Sequence, residues 1–207
     1  MAIMGNTQQL EVEVKFLLSD RTAFRARLLA AGAALDKARI FERNVRFDTP
    51  DNRLLENEEL LRLRQDTAVR LTYKGPIATD TYSEAKVREE LEINLSDFDT
   101  AALILTRLGF APVQVYEKYR ETFVWQDVEI VLDELPYGDF VELEGAEPAI
   151  KAAAAALALP WDQRITNNYL GLMAAVKNFY HLDFDDLTFA NFQGVQAPAA
   201  GLLTAVP

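Results

Sequence analysis

Hydrophobic and polar residues alternate one by one along most of the chain, a period typical of strands that bury one face. The pattern predicts eight strands, which makes the fold strand-rich. Asp66 and Thr67 mark a hairpin turn between the third and fourth of them. The predicted strands cover residues 10–18, 40–48, 60–65, 69–74, 83–95, 113–125, 128–133 and 140–145.

Helical spacing interrupts this alternation at four places, and we expect the four helices to cover the apolar faces of the strands. Ser19 or Asp20 caps the first helix, and Ser96 with Asp97 begins the second. If the apolar faces are covered, the polar faces must line the inside. The sequence therefore predicts an α+β fold, an eight-stranded antiparallel closed β-barrel flanked by about four helices at residues 20–32, 96–109, 150–159 and 166–180.

The chain length of 207 residues predicts one domain with a full core. We assign residues 1–180 to it and treat residues 181–207 as a C-terminal extension. The last part of this extension is rich in small residues, so we expect it to be partly mobile. Residues 183–192 could form a lid over one mouth of the barrel or a strap packed on it, and the strap is the favoured interpretation.

Composition excludes several classes of function. No apolar run reaches the roughly 18 residues of a membrane span, and the N-terminus lacks the features of a signal peptide. The absence of cysteine fits a cytoplasmic protein, and the single histidine, His181, argues against Ser-His or Cys-His catalysis. The net charge of −11 argues against DNA as a partner. The sequence leaves open whether the protein is a monomer or a homodimer.

The positions of the basic residues point the other way from the net charge. Side chains two apart on a strand share a face, and ten of the 21 Lys and Arg residues fall on the polar faces. A solvated outer face would explain one such strand, but not eight. Arginine binds phosphate through two parallel hydrogen bonds, so these faces predict a polyanionic ligand. The ten residues are Lys15, Arg46, Arg62, Arg64, Arg70, Lys74, Lys86, Arg88, Lys118 and Arg120.

Acidic pairs on the same faces require a separate explanation, because carboxylates repel phosphate. Glu11 and Glu13 lie on one strand face about 7 Å apart. Together with Asp133, Glu142 and Glu144, they could form an oxygen-only site suited to Mg²⁺ or Mn²⁺. Ordinary salt bridging is the alternative interpretation of these five acids.

At this point the sequence resembles a known family. Glu11-Val12-Glu13-Val14-Lys15 is similar to the ExExK signature of the CYTH superfamily, the triphosphate tunnel metalloenzymes. That family includes class IV adenylyl cyclases, thiamine triphosphatases and inorganic or RNA triphosphatases. The resemblance extends over about residues 10–175 through further motifs in the family's order: Phe47-Asp48-Thr49-Pro50, Arg62-Leu63-Arg64, Thr72-Tyr73-Lys74, Arg88-Glu89-Glu90-Leu91-Glu92, Lys118-Tyr119-Arg120, and Asp133 with Glu142-Leu143-Glu144.

The resemblance implies a role for each matching residue. The metal would be held by Glu11, Glu13, Asp133, Glu142 and Glu144. The phosphates would be bound by Arg62, Arg64, Lys74, Arg88, Lys118 and Arg120. Arg46 stands where many members carry tyrosine, and it is an additional candidate for phosphate binding. Lys15 and Glu90 are the candidates for the general base, although Lys15 needs a much lower pKa than usual to accept a proton.

Three functions remain open after this comparison. The leading hypothesis is metal-dependent hydrolysis of the terminal phosphoryl group of an inorganic or organic triphosphate. The first alternative is an adenylyl cyclase, because Asn167-Asn168-Tyr169-Leu170 lies near a Ser-Tyr-Leu stretch of class IV cyclases. The second is a non-catalytic polyphosphate-binding module. The motifs recognise the shared triphosphate and therefore do not identify the substrate.

Overall fold

The computed structural model describes residues 10–77 and 83–204. Eight antiparallel strands close into a barrel in the order β1-β5-β4-β3-β2-β6-β7-β8, which confirms the predicted fold. Alternation of apolar and polar residues produces this arrangement because each strand buries one face under helices. The strands are β1 Leu10–Leu18, β2 Ala34–Asp48, β3 Leu60–Gln65, β4 Val69–Ile77, β5 Lys86–Leu95, β6 Ala111–Trp125, β7 Val128–Leu135 and β8 Gly138–Glu144.

Strand β2 is longer than predicted because its first residues pair with the end of β6. Ala34 lies opposite Val124, and register shifts follow before Ile40. This extension is mostly exposed, so it lacks the alternation that marks a half-buried strand. Strand β5 begins at Lys86, three residues later than predicted. Part of the predicted loop before it, residues 78–82, lies outside the described residues.

The four predicted helices are present in the described chain, and two shorter ones accompany them. Asp20 and Asp97 cap α1 and α3 by accepting hydrogen bonds from the backbone N–H groups of Ala23 and Thr100. The additional helices are too short for their spacing to be recognised in sequence. The bounds are α1 Arg21–Ala30, α2 Arg53–Glu56, α3 Phe98–Arg107, α4 Glu147–Ala156, α5 Tyr169–Tyr180 and α6 Ala199–Thr204, with a 3-10 helix at Trp161–Gln163.

The helices bury much of the outer face of the barrel, while Leu91 and Ile93 on the outer face of β5 remain exposed. Phe24 of α1 and Ile150 of α4 pack in one cluster with Phe16 and Leu143, whose side chains leave β1 and β8 on the outside. Leu105 of α3 belongs to a second cluster over β2, β3 and β4. Because the apolar side chains of the strands point outward, the polar faces of the strands enclose the interior.

One end of the interior is apolar rather than charged. Leu17 and Phe140 lie opposite each other on β1 and β8, in the same inward-facing register as the charged residues further along those strands. Phe140 packs with Tyr116 of β6 and with Tyr169 of α5. These side chains close the barrel at the end where β1 finishes, and we call them the aromatic floor. The cavity therefore has one closed end.

The C-terminal extension packs against the barrel as a strap. The backbone of Leu187 exchanges hydrogen bonds with Val115 and Glu117 of β6, and its side chain is fully buried. Further along, Ala199 donates a backbone hydrogen bond to Tyr137. Its mobility and the domain boundary at residue 180 stay predictions. No helix in the described ranges has the length and apolar character needed to cross a membrane.

Candidate active site

A cavity of about 820 Å³ occupies the barrel interior and gathers most of the charged residues selected from the sequence. All eight strands contribute to its wall, and so do Tyr116 and Tyr169 of the aromatic floor. Its basic lining residues are Lys15, Lys37, Arg62, Arg64, Arg70, Lys74, Lys86, Arg88, Lys118 and Arg120, and its acidic ones are Glu11, Glu13, Glu42, Asp66, Glu90, Glu92, Glu129, Glu142 and Glu144. A buried set of mixed charges of this size requires pairing, solvent or a ligand.

Glu13 holds two lysines together on the β1 side of the cavity. Its carboxylate lies 3.0 Å from the ammonium of Lys15 and 2.5 Å from that of Lys86. Burial alone would raise the pKa of Glu13, but the two lysines hold it well below its usual range. Glu13 is therefore ionised.

Lys74 pairs with the other carboxylates next to Glu13. Its ammonium lies 2.6 Å from Glu11 and 2.8 Å from Glu90. Burial and the charge of Glu13 raise the pKa of Glu11 despite this contact. Burial opposes ionisation of Glu90 as well, yet Lys74 keeps the pKa of Glu90 below its usual value. Glu90 is thus a weak base in this arrangement.

Glu144 is an acid of the cavity wall with no partner among the described residues. It lies opposite Glu13 on one side and Glu129 on the other, and it makes no hydrogen bond or ion pair with the described residues. Burial, followed by repulsion from Glu11 and Glu129, raises the pKa of Glu144 to about 8. Glu144 therefore has no counter-ion among the described residues.

Asp133 anchors the basic residues of β6 on the opposite wall. Its fully buried carboxylate accepts hydrogen bonds from Lys118 at 2.9 Å and from the Nε of Arg120 at 2.7 Å. Arg120 also contacts Glu142 at 2.5 Å. Burial disfavours the charge of Arg120, but the two carboxylates raise its pKa well above the usual value. Asp133 itself does not line the cavity.

The remaining predicted phosphate ligands differ in how they face the cavity. Arg62 donates to Thr72 at 2.9 Å and Arg64 donates to Glu92 at 2.9 Å, while the Nε of each arginine has no hydrogen-bond partner among the described residues. Arg88 lines the cavity, but its guanidinium is held by the backbone carbonyls of Gly75 and Glu58. Arg46 lies 3.7 Å from Asp48 and does not line the cavity.

Lys15 is held between two carboxylates, Glu13 at 3.0 Å and Glu142 at 3.2 Å. Burial would lower its pKa, but these acids outweigh burial and raise it. A general base needs the opposite shift. The assignment of Lys15 as the base stays a prediction, and it requires that its acidic neighbours first be engaged elsewhere.

The five predicted metal ligands fit a hard divalent cation by their chemistry, but they do not form a finished site. In residues 10–77 and 83–204, no three acidic or histidine side chains are grouped closely enough to hold an ion. Four of the five are paired with Lys or Arg. The unpartnered Glu144, beside Glu11 and Glu13, is the place where a cation would relieve repulsion. A metal would compete with the lysines for these carboxylates.

The sequence prediction left out Glu42 and Glu129, which belong to the cavity wall, and it included Tyr169 only as part of the cyclase-like stretch at residues 167–170. Glu42 and Glu129 lie in the inward phase of β2 and β7, so the strand period could have found both, although no family motif includes them. Glu42 lies 3.6 Å from Arg64 and 3.8 Å from Lys118. Tyr169 enters from helix α5, and no strand period could have placed it there.

Comparison with known proteins agrees with this geometry. The CYTH domain model matches residues 9–164. A putative adenylate cyclase of Methanocaldococcus jannaschii is 34% identical over 137 residues, which are 65% of this chain and 76% of the relative.

Two solved structures share the fold. One is a putative adenylate cyclase from Vibrio parahaemolyticus, with a TM-score of 0.73, 22% identity and coverage of 82% of this chain and all of that chain. The other is a putative adenylyl cyclase from Hippeastrum, described as having a dominant triphosphatase activity, with a TM-score of 0.53, 17% identity and coverage of 76% and 91%. These structures share the fold, and the domain match over residues 9–164 shows that the chain belongs to the CYTH family.

Proposed function

We propose that the protein is a divalent-metal-dependent enzyme that hydrolyses the terminal phosphoryl group of a triphosphate. The observation that carries this proposal is one cavity lined by ten Lys and Arg side chains and by Glu144, a carboxylate with no counter-ion among the described residues. The basic residues suit a polyphosphate, while Glu144 and its acidic neighbours suit a divalent cation. A binding module would not need both.

The basic and acidic residues of the cavity wall have different roles in this proposal. Arg62, Arg64 and Arg120 offer planar donors that bind phosphoryl oxygens and stabilise the charge developing on them. Lys118 adds a point charge beside Arg120. Mg²⁺ or Mn²⁺ held by the acids on β1 and β8 would polarise a phosphoryl oxygen and neutralise its charge.

A turnover panel tests this proposal. Inorganic triphosphate (tripolyphosphate), thiamine triphosphate and ATP should each be incubated with Mg²⁺ and with Mn²⁺, and the products should be identified. We expect phosphate release, and we expect chelation to slow it about 1000-fold because the metal supplies several kcal/mol of charge stabilisation. Tight binding without turnover under either ion would instead favour the polyphosphate-binding module.

Adenylyl cyclase activity is the second candidate, and a specific similarity favours it. The Methanocaldococcus jannaschii relative is described as a putative adenylate cyclase. The stretch that resembles the cyclase motif also reaches the cavity, where Asn168, Tyr169 and Leu170 line the wall. Cyclic AMP and pyrophosphate as products of ATP would establish the cyclase, whereas phosphate and ADP would establish the hydrolase.

Glu42 should act as a counter-ion that the substrate replaces. Burial would raise its pKa, but Lys118, Arg120 and Arg64 keep the pKa below its usual value. Replacing Glu42 by glutamine should lower the stability of the ligand-free protein and lower the KM for tripolyphosphate about 10-fold, since one anion no longer competes for the cations. Urea unfolding and steady-state kinetics measure the two effects. A higher KM would mean that Glu42 assists binding.

A further inference from the structure

The hydroxyl of Tyr169 is a buried donor that no described residue uses. The residue is 7% exposed, and its oxygen has no hydrogen-bond partner in residues 10–77 and 83–204. In the described chain, the other buried side-chain atoms without a partner belong to one patch of the inner wall on β2 and β3, formed by Glu42, Asn44, Arg46, Arg62 and Arg64. Tyr169 faces the same interior from another element, helix α5. Buried polar groups are nearly always paired, so an unpaired group in a cavity wall indicates a missing partner.

The ring of Tyr169 is fixed without help from its hydroxyl. Phe140 packs edge-on against it at a centroid distance of 5.4 Å. Tyr137 donates a hydrogen bond to its backbone carbonyl at 3.1 Å. Asn168 caps the helix by accepting from the N–H of Gly171 at 2.7 Å. The hydroxyl is therefore free to serve a ligand.

The surroundings of Tyr169 select an anion. The ammonium groups of Lys15 and Lys118 each lie 5.2 Å from its ring centroid. Burial raises the pKa of the phenol well above its usual value, with Asp133 and Glu142 acting in the same direction, so it stays a donor. Tyr169 is also the first residue of α5, a helix of 12 residues, whose N-terminus carries partial positive charge.

We propose that the Tyr169 hydroxyl and the N-terminal turn of α5 form a further phosphate subsite at the closed end of the cavity. The hydroxyl donates a hydrogen bond to a phosphoryl oxygen that Lys15 and Lys118 also attract. This assignment rests on the proposed function, because it assumes that a triphosphate occupies the cavity. The subsite also sets the orientation of the bound triphosphate. The phosphate chain points toward the aromatic floor, and any organic group lies toward the open end near Lys37 and Arg70.

Tyr169→Phe tests the subsite because it removes one oxygen and keeps the ring. We expect the KM for tripolyphosphate to rise about 10- to 100-fold, the range for losing a hydrogen bond to a charged group, with kcat unchanged. The KM for ATP should rise by the same factor, since both substrates share the phosphates. The unfolding temperature without ligand should not fall, because the hydroxyl has no partner to lose.

Tyr180→Phe is the matched control on the same helix. The hydroxyl of Tyr180 donates to the carbonyl of Pro198 outside the cavity, so its loss should leave both KM values unchanged. An unchanged KM in Tyr169→Phe would overturn the subsite, and so would a rise for ATP alone, which would place the hydroxyl at the nucleoside. A lower unfolding temperature with a proportionate loss of kcat would show a structural role and would also overturn it. If the unaltered protein neither binds nor turns over tripolyphosphate, the proposed function itself fails.

Discussion

Replacing Glu144 by glutamine is expected to slow metal-dependent turnover on the order of 100-fold and to make the metal-free protein more stable. The two effects have one cause. The carboxylate of Glu144 is half-buried among other acids without a hydrogen bond or ion pair from the described residues, so its charge costs free energy until a cation binds. Steady-state kinetics at saturating Mn²⁺ and urea unfolding in chelator measure the two effects.

The stability gain should depend on pH in a defined direction. The pKa of Glu144 is about 8 in the folded protein, against a usual value of 4.5. Below pH 4.5 the carboxyl is protonated in both the folded and unfolded states, and it has no effect on the pH dependence. Between pH 4.5 and 8 only the unfolded chain gives up the proton, so the natural protein loses stability as pH rises. Glu144→Gln should therefore gain more at pH 8.5 than at pH 5.

Glu134→Gln provides the comparison for Glu144→Gln. Glu134 lies on β7, the strand next to the one that carries Glu144, but its side chain faces outward and contacts Arg39 at 2.8 Å. Its replacement should leave turnover unchanged and should not stabilise the protein. Equal gains for Glu144→Gln at the two pH values, or full turnover in that variant, would contradict the assignment of Glu144 to the metal.

The strand period predicted much of the inner wall, because alternation on a strand has only two faces to choose between. Arg62, Arg64 and Arg120 reach the cavity for this reason. The same rule could not separate the aromatic floor from the charged zone. Leu17 and Phe140 occupy the inward phase, but an apolar residue on a strand does not reveal whether its face borders a cavity or a core.

The partners of the charged residues depend on barrel closure and not on the local pattern. Lys74 meets Glu11 across 63 residues of sequence, and only the strand order β1-β5-β4 brings them together. Tyr169 depends on helix α5 docking under the barrel, which its own helical spacing does not specify. A sequence therefore predicts which residues face inward more readily than it predicts which of them remain unpartnered.

Replacing Arg120 by methionine is expected to lower kcat/KM for tripolyphosphate by about 1000-fold or more and to cost about 3–5 kcal/mol of stability. Arg120 donates to Asp133 and Glu142 together, and Asp133 is fully buried. Without the guanidinium, Asp133 keeps Lys118 alone, and the cavity loses a planar donor for phosphate. The loss of stability and the loss of kcat/KM follow from the same side chain, so further variants are needed to separate the two effects.

The double variant Arg120→Met with Asp133→Asn makes that separation. Neutralising Asp133 removes the excess negative charge that the loss of Arg120 leaves in the wall, so the double variant should regain much of the stability that Arg120→Met loses, while turnover stays low. Arg120→Lys should keep most of the stability through its charge and still turn over slowly, because an ammonium cannot make the parallel pair of hydrogen bonds. Urea unfolding and tripolyphosphate kinetics on the three variants decide the matter. Recovery of turnover together with stability in the double variant would show that Arg120 supports the fold and does not bind the substrate.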